Sequence, residues 1–502
     1  MKRFSKNLIP YYFVSSIVYS FFIFILVKTN LINEDGTNLK AVNKLSLIIA
    51  LVAYVVIVIY SIIYYFKTGY ELKEKEIYCT RGVLFKKQSI LDYSKIHAVN
   101  KKQGLIQRMF GLATITVDSG STNTSHQAEI TIIENVELVD SLIEEIKARQ
   151  NGNFSNDYVD DPVIEEKIEK ENLYNFTAKT KFIYTTLNTL GGLIGVLFCF
   201  VFGFIVLNII NNYIGFSDGD VGLFEILFGF LGLSLLTIAG IAFSSIIISF
   251  VQYYDFRIFR TSDSIEINYG LFTKQQNTFK LNRVKGIRIK QRIIQRLFGF
   301  ATINLEVIGY FNTTSNNNQQ AQAIGVLIPL CKYKDINLYL DKILPNYKPE
   351  EKEYKTIKFL PFISYYLIFS SITLGLIFIC AAIPLAYYGL WDIVLYSFIG
   401  VLSFFILLVA TTSIDRYLEY KNNGLKIKDN KVTIYRGGWT KETVVVLKDN
   451  IIGIEKATTY HRNKEGINSY IIHFKSNALT NTIEVKNISI EAYKELLDLM
   501  KY

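Results

Sequence analysis

The sequence predicts a multi-pass α-helical membrane protein with six spans and three cytoplasmic α+β modules. Composition is the first indication: half of the 502 residues are hydrophobic, only 20% are charged, and mean hydropathy is +0.25. The second is length, because six apolar stretches reach the roughly 20 residues that a bilayer core requires. The third is a repeat. Residues 103–115, QGLIQRMFGLATI, return 188 positions later as 291–303, QRIIQRLFGFATI, identical at nine of thirteen positions without a gap. A repeat at such a period marks one structural unit used more than once.

The expected spans are 8–27, 45–66, 182–210, 223–251, 359–384 and 393–414. They come in pairs, and the first two contain no charge, which argues against buried core helices. Lys2, Arg3 and Lys6 would also suit a signal peptide, but no small-x-small cleavage site follows Val27 and another span comes soon after, so a retained helix is expected. Basic residues follow the second, fourth and sixth spans: Lys67 and Lys73, Arg257 and Arg260, Arg416 and Lys421. The loop 211–222 and the turn 385–392 have none, while the loop 28–44, with three lysines, runs against the trend. The positive-inside bias then places both termini and the soluble modules in the cytoplasm. The expected layout is a transmembrane pair (1–66), module one (67–150), an acidic linker (151–181), a second pair (182–252), module two (253–347), a linker with a third pair (348–414) and module three (415–502).

Each module reads as short strands followed by one helix. Alternating, β-branched runs at 77–80, 130–133, 265–268, 303–308, 432–435, 444–447 and 470–474 predict strands. Helical patterns follow at 136–149, 334–344 and 489–500, the last with Ser489 as N-cap. The module is a small antiparallel sheet or barrel closed by a C-terminal helix. Module three aligns with module one by placing Gly437 on Gly82, Lys441 on Lys86, Ile451 on Ile96 and Ile454 on Val99, then loses the repeat around His461.

A glycine with two apolar residues and a Lys, then Q-R-x-F-G-x-A-T-I, resembles the bacterial pleckstrin-homology-like (PH-like) domain. The layout is similar to that of the YdbT-like family of bacterial PH-domain membrane proteins. The resemblance implies a strongly bent sheet with a C-terminal helix in each module, a bacterial cell membrane, and no known catalytic activity or cofactor. It also makes a smaller, single-unit membrane protein of the same family the natural partner. Fold alone does not fix function.

The repeated residues Gln107, Arg108, Phe110 and Gly111, with Gln295, Arg296, Phe298 and Gly299, suit a fold signature. The phenylalanines serve as apolar anchors, and each glycine ends a short helix at positive φ. The arginines satisfy carbonyls or a carboxylate, or else bind an anionic headgroup. Module two also carries eight basic and no acidic residues from Gly270 to Arg296. Strand periodicity puts Ile287 and Ile289 on one face and Arg288, Lys290 and Arg292 on the other. That face is either a solvated basic surface or a contact for anionic phospholipids, with Lys285 and Arg296 beside it. Module one has a milder patch that includes Lys101, Lys102 and Arg108. Nucleic acid is disfavoured, since no recognition motif accompanies the charge.

The expected function is a non-enzymatic scaffold or envelope-associated factor. The alternative is a lipid-moving or transport protein, but the spans hold almost no polar groups: Glu225 and Asp392 lie near outer ends. HExxH, GxSxG, phosphate-loop and paired-carboxylate patterns are missing from the sequence. The four cysteines and four histidines have no metal-ligand spacing, so no metal is expected. Gly191 and Gly195 form a GxxxG that suits close helix packing.

Overall fold

The computed structural model describes residues 1–32, 39–96, 98–118, 130–150, 172–187, 189–190, 223–307, 324–351, 354–355, 375, 406, 409–428, 430–458, 467–475 and 481–501. Two compact units form: residues 1–283 with 308–323, and residues 284–307 with 324–502.

The first unit begins with a strand, β1 (Lys2–Arg3), and two long helices, α1 (Leu8–Ile32) and α2 (Leu39–Lys67). At 1.5 Å per residue, each exceeds the roughly 30 Å of a bilayer core. Ser16, Ser46 and Ala50 are buried, whereas Phe22, Leu26, Leu51 and Val56 are exposed. A soluble core helix does the reverse. Small residues inside and large apolar residues outside are the arrangement of helices solvated by lipid.

After α2 the chain forms β2 (Gly69–Leu72), β3 (Glu76–Arg81) and β4 (Lys87–Asp92), giving an antiparallel sheet in the order β1-β2-β3-β4. Then come β5 (Ala98–Gln103), the short helix α3 (Leu105–Met109), β6 (Leu112–Asp118), β7 (Ile130–Asn135) and α4 (Val136–Gln150). One core joins Tyr70, Ile77 and Leu91 of the first sheet to Ile115 and Ile132 of the second and to Val139 and Ile146 of α4. This is the expected sheet-plus-helix module, and α4 closes it because its buried positions recur at helical spacing.

A second set of strands follows: β8 (Asn172–Asn175), then helix α5 (Leu223–Gln252), β9 (Arg257–Arg260), β10 (Ser264–Tyr269) and β11 (Lys274–Lys280). These strands do not stand apart. They join module one in a seven-stranded sheet of order β7-β6-β5-β11-β10-β9-β8. An aromatic cluster of Tyr174, Phe176, Tyr184, Tyr253 and Phe256 ties β8 to the end of α5.

The second unit repeats this design. It contains β12 (Val284–Gln291), α6 (Ile293–Leu297), β13 (Phe300–Val307), β14 (Ile324–Lys332) and α7 (Ile336–Ile343). The short β15 (Tyr354–Lys355) precedes β16 (Gly424–Lys428), β17 (Lys431–Arg436) and β18 (Lys441–Leu447). Together the strands form a seven-stranded sheet, β14-β13-β12-β18-β17-β16-β15. The chain ends with β19 (Ile451–Ala457), β20 (Ile467–Phe474), β21 (Asn481–Ser489) and α8 (Ile490–Lys501). Val432, Val444, Tyr470, Phe474, Val485 and Leu496 share one core.

The six-span expectation is corrected. Among the described residues, two helices are long and apolar enough to cross a membrane, 8–29 and 43–67. The stretch expected at 223–251 lies in the helix Leu223–Gln252, but its described apolar portion, Ala239–Gln252, is too short by itself to cross. The stretches expected at 182–210, 359–384 and 393–414 lie largely outside the described residues, as do Gly191 and Gly195. Hydropathy registers a long apolar run, but such a run alone does not establish a continuous crossing helix.

Candidate functional site

The repeated QR-x-FG segment makes the corner that leads from one strand into the next. The backbone N–H of Gly104 donates to Gln107 Oε1 (3.0 Å), and Gln107 Nε2 donates to Thr114 Oγ1 (2.9 Å). In the second copy Arg292 N–H donates to Gln295 Oε1 (3.1 Å), and Gln295 Nε2 to Thr302 Oγ1 (3.4 Å). Gly111 and Gly299 adopt φ +64° and +70°, the left-handed conformation that glycine takes at low cost. Their carbonyls accept from Val136 N–H (3.0 Å) and Tyr333 N–H (2.8 Å). The two phenylalanines differ: Phe110 packs partly against the module core, but Phe298 is 62% exposed.

The arginines of the motif also differ. Arg296 Nη2 donates to Asn422 Oδ1 (3.1 Å), and Asn422 Nδ2 donates to the carbonyls of Gly437 (2.7 Å) and Gly438 (3.2 Å). Arg296 thus braces the hairpin that feeds β18. Arg108 is exposed, and its guanidinium makes no hydrogen bond or ion pair among the described residues. It lines a cleft of about 590 Å³ where β5 meets β11, together with Lys101, Asp255, Tyr269 and Lys274. Asp255 and Asn422 correspond, each fifteen residues before its hairpin glycine. Lys101 is ion-paired with Asp140, and Lys102 is half-buried.

The expected basic outer face of β12 is largely occupied. Arg288 is only 3% exposed; its Nε–H donates to Glu306 Oε1 (2.8 Å), and its Nη1 lies 3.5 Å from Glu442 Oε2. Lys290 Nζ lies 3.4 Å from Glu442 Oε1, and Arg436 Nη2 lies 2.8 Å from Glu442 Oε2. Strand alternation does put Arg288 and Lys290 opposite the isoleucines. What local sequence missed is that β18 arrives alongside and brings Glu442 with it. Lys285 is half-buried and Arg292 is exposed, and each has an interaction partner.

Burial pushes the Glu442 carboxyl up, but Arg436, Arg288 and Lys290 outweigh it and hold the group below the usual carboxylate range. A depressed native value means that the stabilisation is full above the unfolded pKa, about 4.3 for Glu. It is then lost as pH falls through the native value. Acidification below about 4.3 should therefore lower the protection of amides 286–291 in the wild type, once exchange rates are corrected for their intrinsic pH dependence. Glu442→Gln should exchange faster at neutral pH and show a flatter acid response. An acid response identical in the two proteins would refute the assignment.

Cys331 is buried, which pushes its thiol up to about 12 and leaves it a packing residue. Among the described residues, no group of three or more metal-ligating side chains occurs.

Comparison with known proteins agrees with this architecture. The Bacterial PH domain family matches residues 21–150 and 205–333, more than half of the chain. The chain is similar to the UPF0699 transmembrane protein YdbT of Bacillus subtilis (strain 168), with 23% identity over 469 residues, 90% of this chain and 88% of that protein. A transmembrane relative and two lipid-compatible helices identify a membrane-associated protein. By its matched segments and its sheet-and-helix modules, this chain belongs to the Bacterial PH domain family.

Proposed function

We propose that the chain is a non-enzymatic membrane scaffold that holds anionic phospholipid headgroups in the cleft between β5 and β11. The observation that carries this reading is Arg108, exposed and without a partner among the described residues, beside Lys274 in that cleft. Two unspent cations in a concave site suit a phosphate-bearing group. Location supports a lipid source. The hairpin at Gly270 and Leu271 is hydrogen-bonded to the carbonyls of Tyr254 and Val251, at the end of helix α5. That helix exposes Ile247 and Ile248. The scaffold part rests on the two seven-stranded sheets, each of which continues from one module into the next.

The test uses full-length protein in nonionic detergent, titrated with short-chain phosphatidylglycerol or phosphatidylcholine at low salt. Preference for the anionic lipid is expected, weakening as salt rises. Each headgroup-contacting cation contributes about 1 kcal/mol, so Arg108→Gln with Lys274→Gln should reduce affinity on the order of tenfold or more. Equal affinity for the two lipids, or no change in the double variant, would overturn the reading.

A further inference from the structure

Two internal junctions share one register. In the first, β5 pairs antiparallel with β11, with Ala98 opposite Phe279, Asn100 opposite Asn277 and Gln103 opposite Lys274. In the second, β12 pairs with β18, with Gly286 opposite Val446, Arg288 opposite Val444 and Gln291 opposite Lys441. Shifting by the repeat offset of 188 carries Ala98 to Gly286 and Gln103 to Gln291. The hairpin glycines Gly270 and Gly437 align Lys274 with Lys441 in the same way. The two junctions are therefore one interface used twice.

Each copy of that interface needs two edges. One is the fourth strand of a leading sheet, β11 or β18. The other is the first strand of a trailing sheet, β5 or β12. The chain contains a third example of each edge. β4 occupies the place of β11 and β18, and among the described residues it pairs only with β3. β19 occupies the place of β5 and β12, and among the described residues it pairs only with β20. The equivalence of β19 is close: its register shifts between Ile451 and Gly453, as that of β12 does between Val284 and Gly286.

Exposure separates the joined edges from the open one. Ile90 on β4 is 60% exposed, while its counterparts in the joined edges, Thr278 and Val445, are 9% and 0% exposed. An exposed edge strand with an apolar side chain is a template for further pairing. Lys86 and Lys87 at the end of β4 are the kind of residue that blunts such an edge, and that is the competing account.

We propose that β4 of one copy pairs with β19 of a second copy of this chain, repeating the internal junction between molecules. Carrying the register over puts Leu91 opposite Gly453, Ile90 opposite Ile454 and Ser89 opposite Glu455. Ile90 then gains an apolar neighbour across the strands. Glu455 comes diagonal to Lys87, a favourable pairing of charges. The contact is head-to-tail, the heterologous kind that joins unlike surfaces of identical subunits.

The test is cysteine cross-linking in native membranes, in full-length protein with its four cysteines replaced by alanine. One tagged copy carries Ser89→Cys and a differently tagged copy carries Glu455→Cys, so any bond between the tags is intermolecular. Asn100→Cys with Asn277→Cys in one chain is the positive control, because it reads the same positions at an internal junction. A cross-link between the tags is expected, with Gln88→Cys giving far less because its side chain faces the other way. Adding Ile90→Lys should reduce the yield at least tenfold. Mass measurement of unmodified protein in lipid nanodiscs should show more than one copy. A working internal control without an inter-copy cross-link overturns the proposal. So does a single-copy mass, or capture of β4 by a smaller single-unit PH-domain protein.

Discussion

Replacing Arg288 with methionine should cost the second unit about 3–5 kcal/mol, the usual penalty for breaking a buried ion pair from one side. The expectation rests on what Arg288 leaves behind. Glu306 is fully buried, and Arg288 Nε–H is bonded to it at 2.8 Å. Without the guanidinium, the buried Glu306 carboxylate loses the charged donor that faces it. Glu442 loses one of its three basic neighbours as well. Pairing Arg288→Met with Glu306→Leu should recover much of the loss, because an apolar replacement of both partners removes the desolvation penalty. Thermal unfolding of the three proteins and the wild type, followed by intrinsic fluorescence in one detergent, gives the comparison. A single variant as stable as wild type, or a double variant no better than the single, would show that the pair does not hold β12 to its neighbours.

Gly270→Ala should be the second large effect. Gly270 has φ +108°, and a methyl group there would overlap the carbonyl oxygen of Thr273 in the same hairpin. Gly82 and Gly437 share both properties, at φ +112° and +107°, against Phe85 and Thr440. The substitution therefore combines a backbone conformation worth about 1–3 kcal/mol of strain with a steric clash that only opening the turn relieves. Because this hairpin starts β11, the damage should spread to the β5–β11 junction and to the cleft beside it. Gly111→Ala is the contrast. Its φ is +64°, but nothing lies within 4 Å of an added methyl. It should cost only the left-handed penalty, roughly 1–2 kcal/mol. Hydrogen exchange across 98–103 and 274–280 measures the difference, and equal protection in the two variants would refute it.

Local features of this fold were legible in the sequence, and long-range ones were not. Alternation located β3, β10 and β17, and the helical spacing after Asn135 located α4. The repeat pointed to Gly111 and Gly299 as positive-φ positions, because a short helix must end before the next strand. The sharing of sheets between modules was hidden. Periodicity says which side chains face inward but not which strand lies alongside. That is why Arg288 read as solvent-facing: its partners, Glu306 and Glu442, lie 18 and 154 positions further along the chain. Arg108 was visible as a repeated arginine. Its difference from Arg296 emerged only where Asn422 braces one copy and no described partner meets the other.

The short strands ahead of the apolar regions have a further consequence. Lys2 and Arg3 are registered against Tyr70 and Gly69, on the far side of α1 and α2. Asn172 to Asn175 are registered against Phe259 to Arg257, and Tyr354 and Lys355 against Leu425 and Gly424. In each case a strand on the way out is zipped to a strand on the way back. The pair α1 and α2 therefore departs from and returns to a single address, as a loop of thread leaves and re-enters cloth at one stitch. A reporter fused ahead of Lys2 and one inserted in the hairpin after Arg81 must answer from the same compartment.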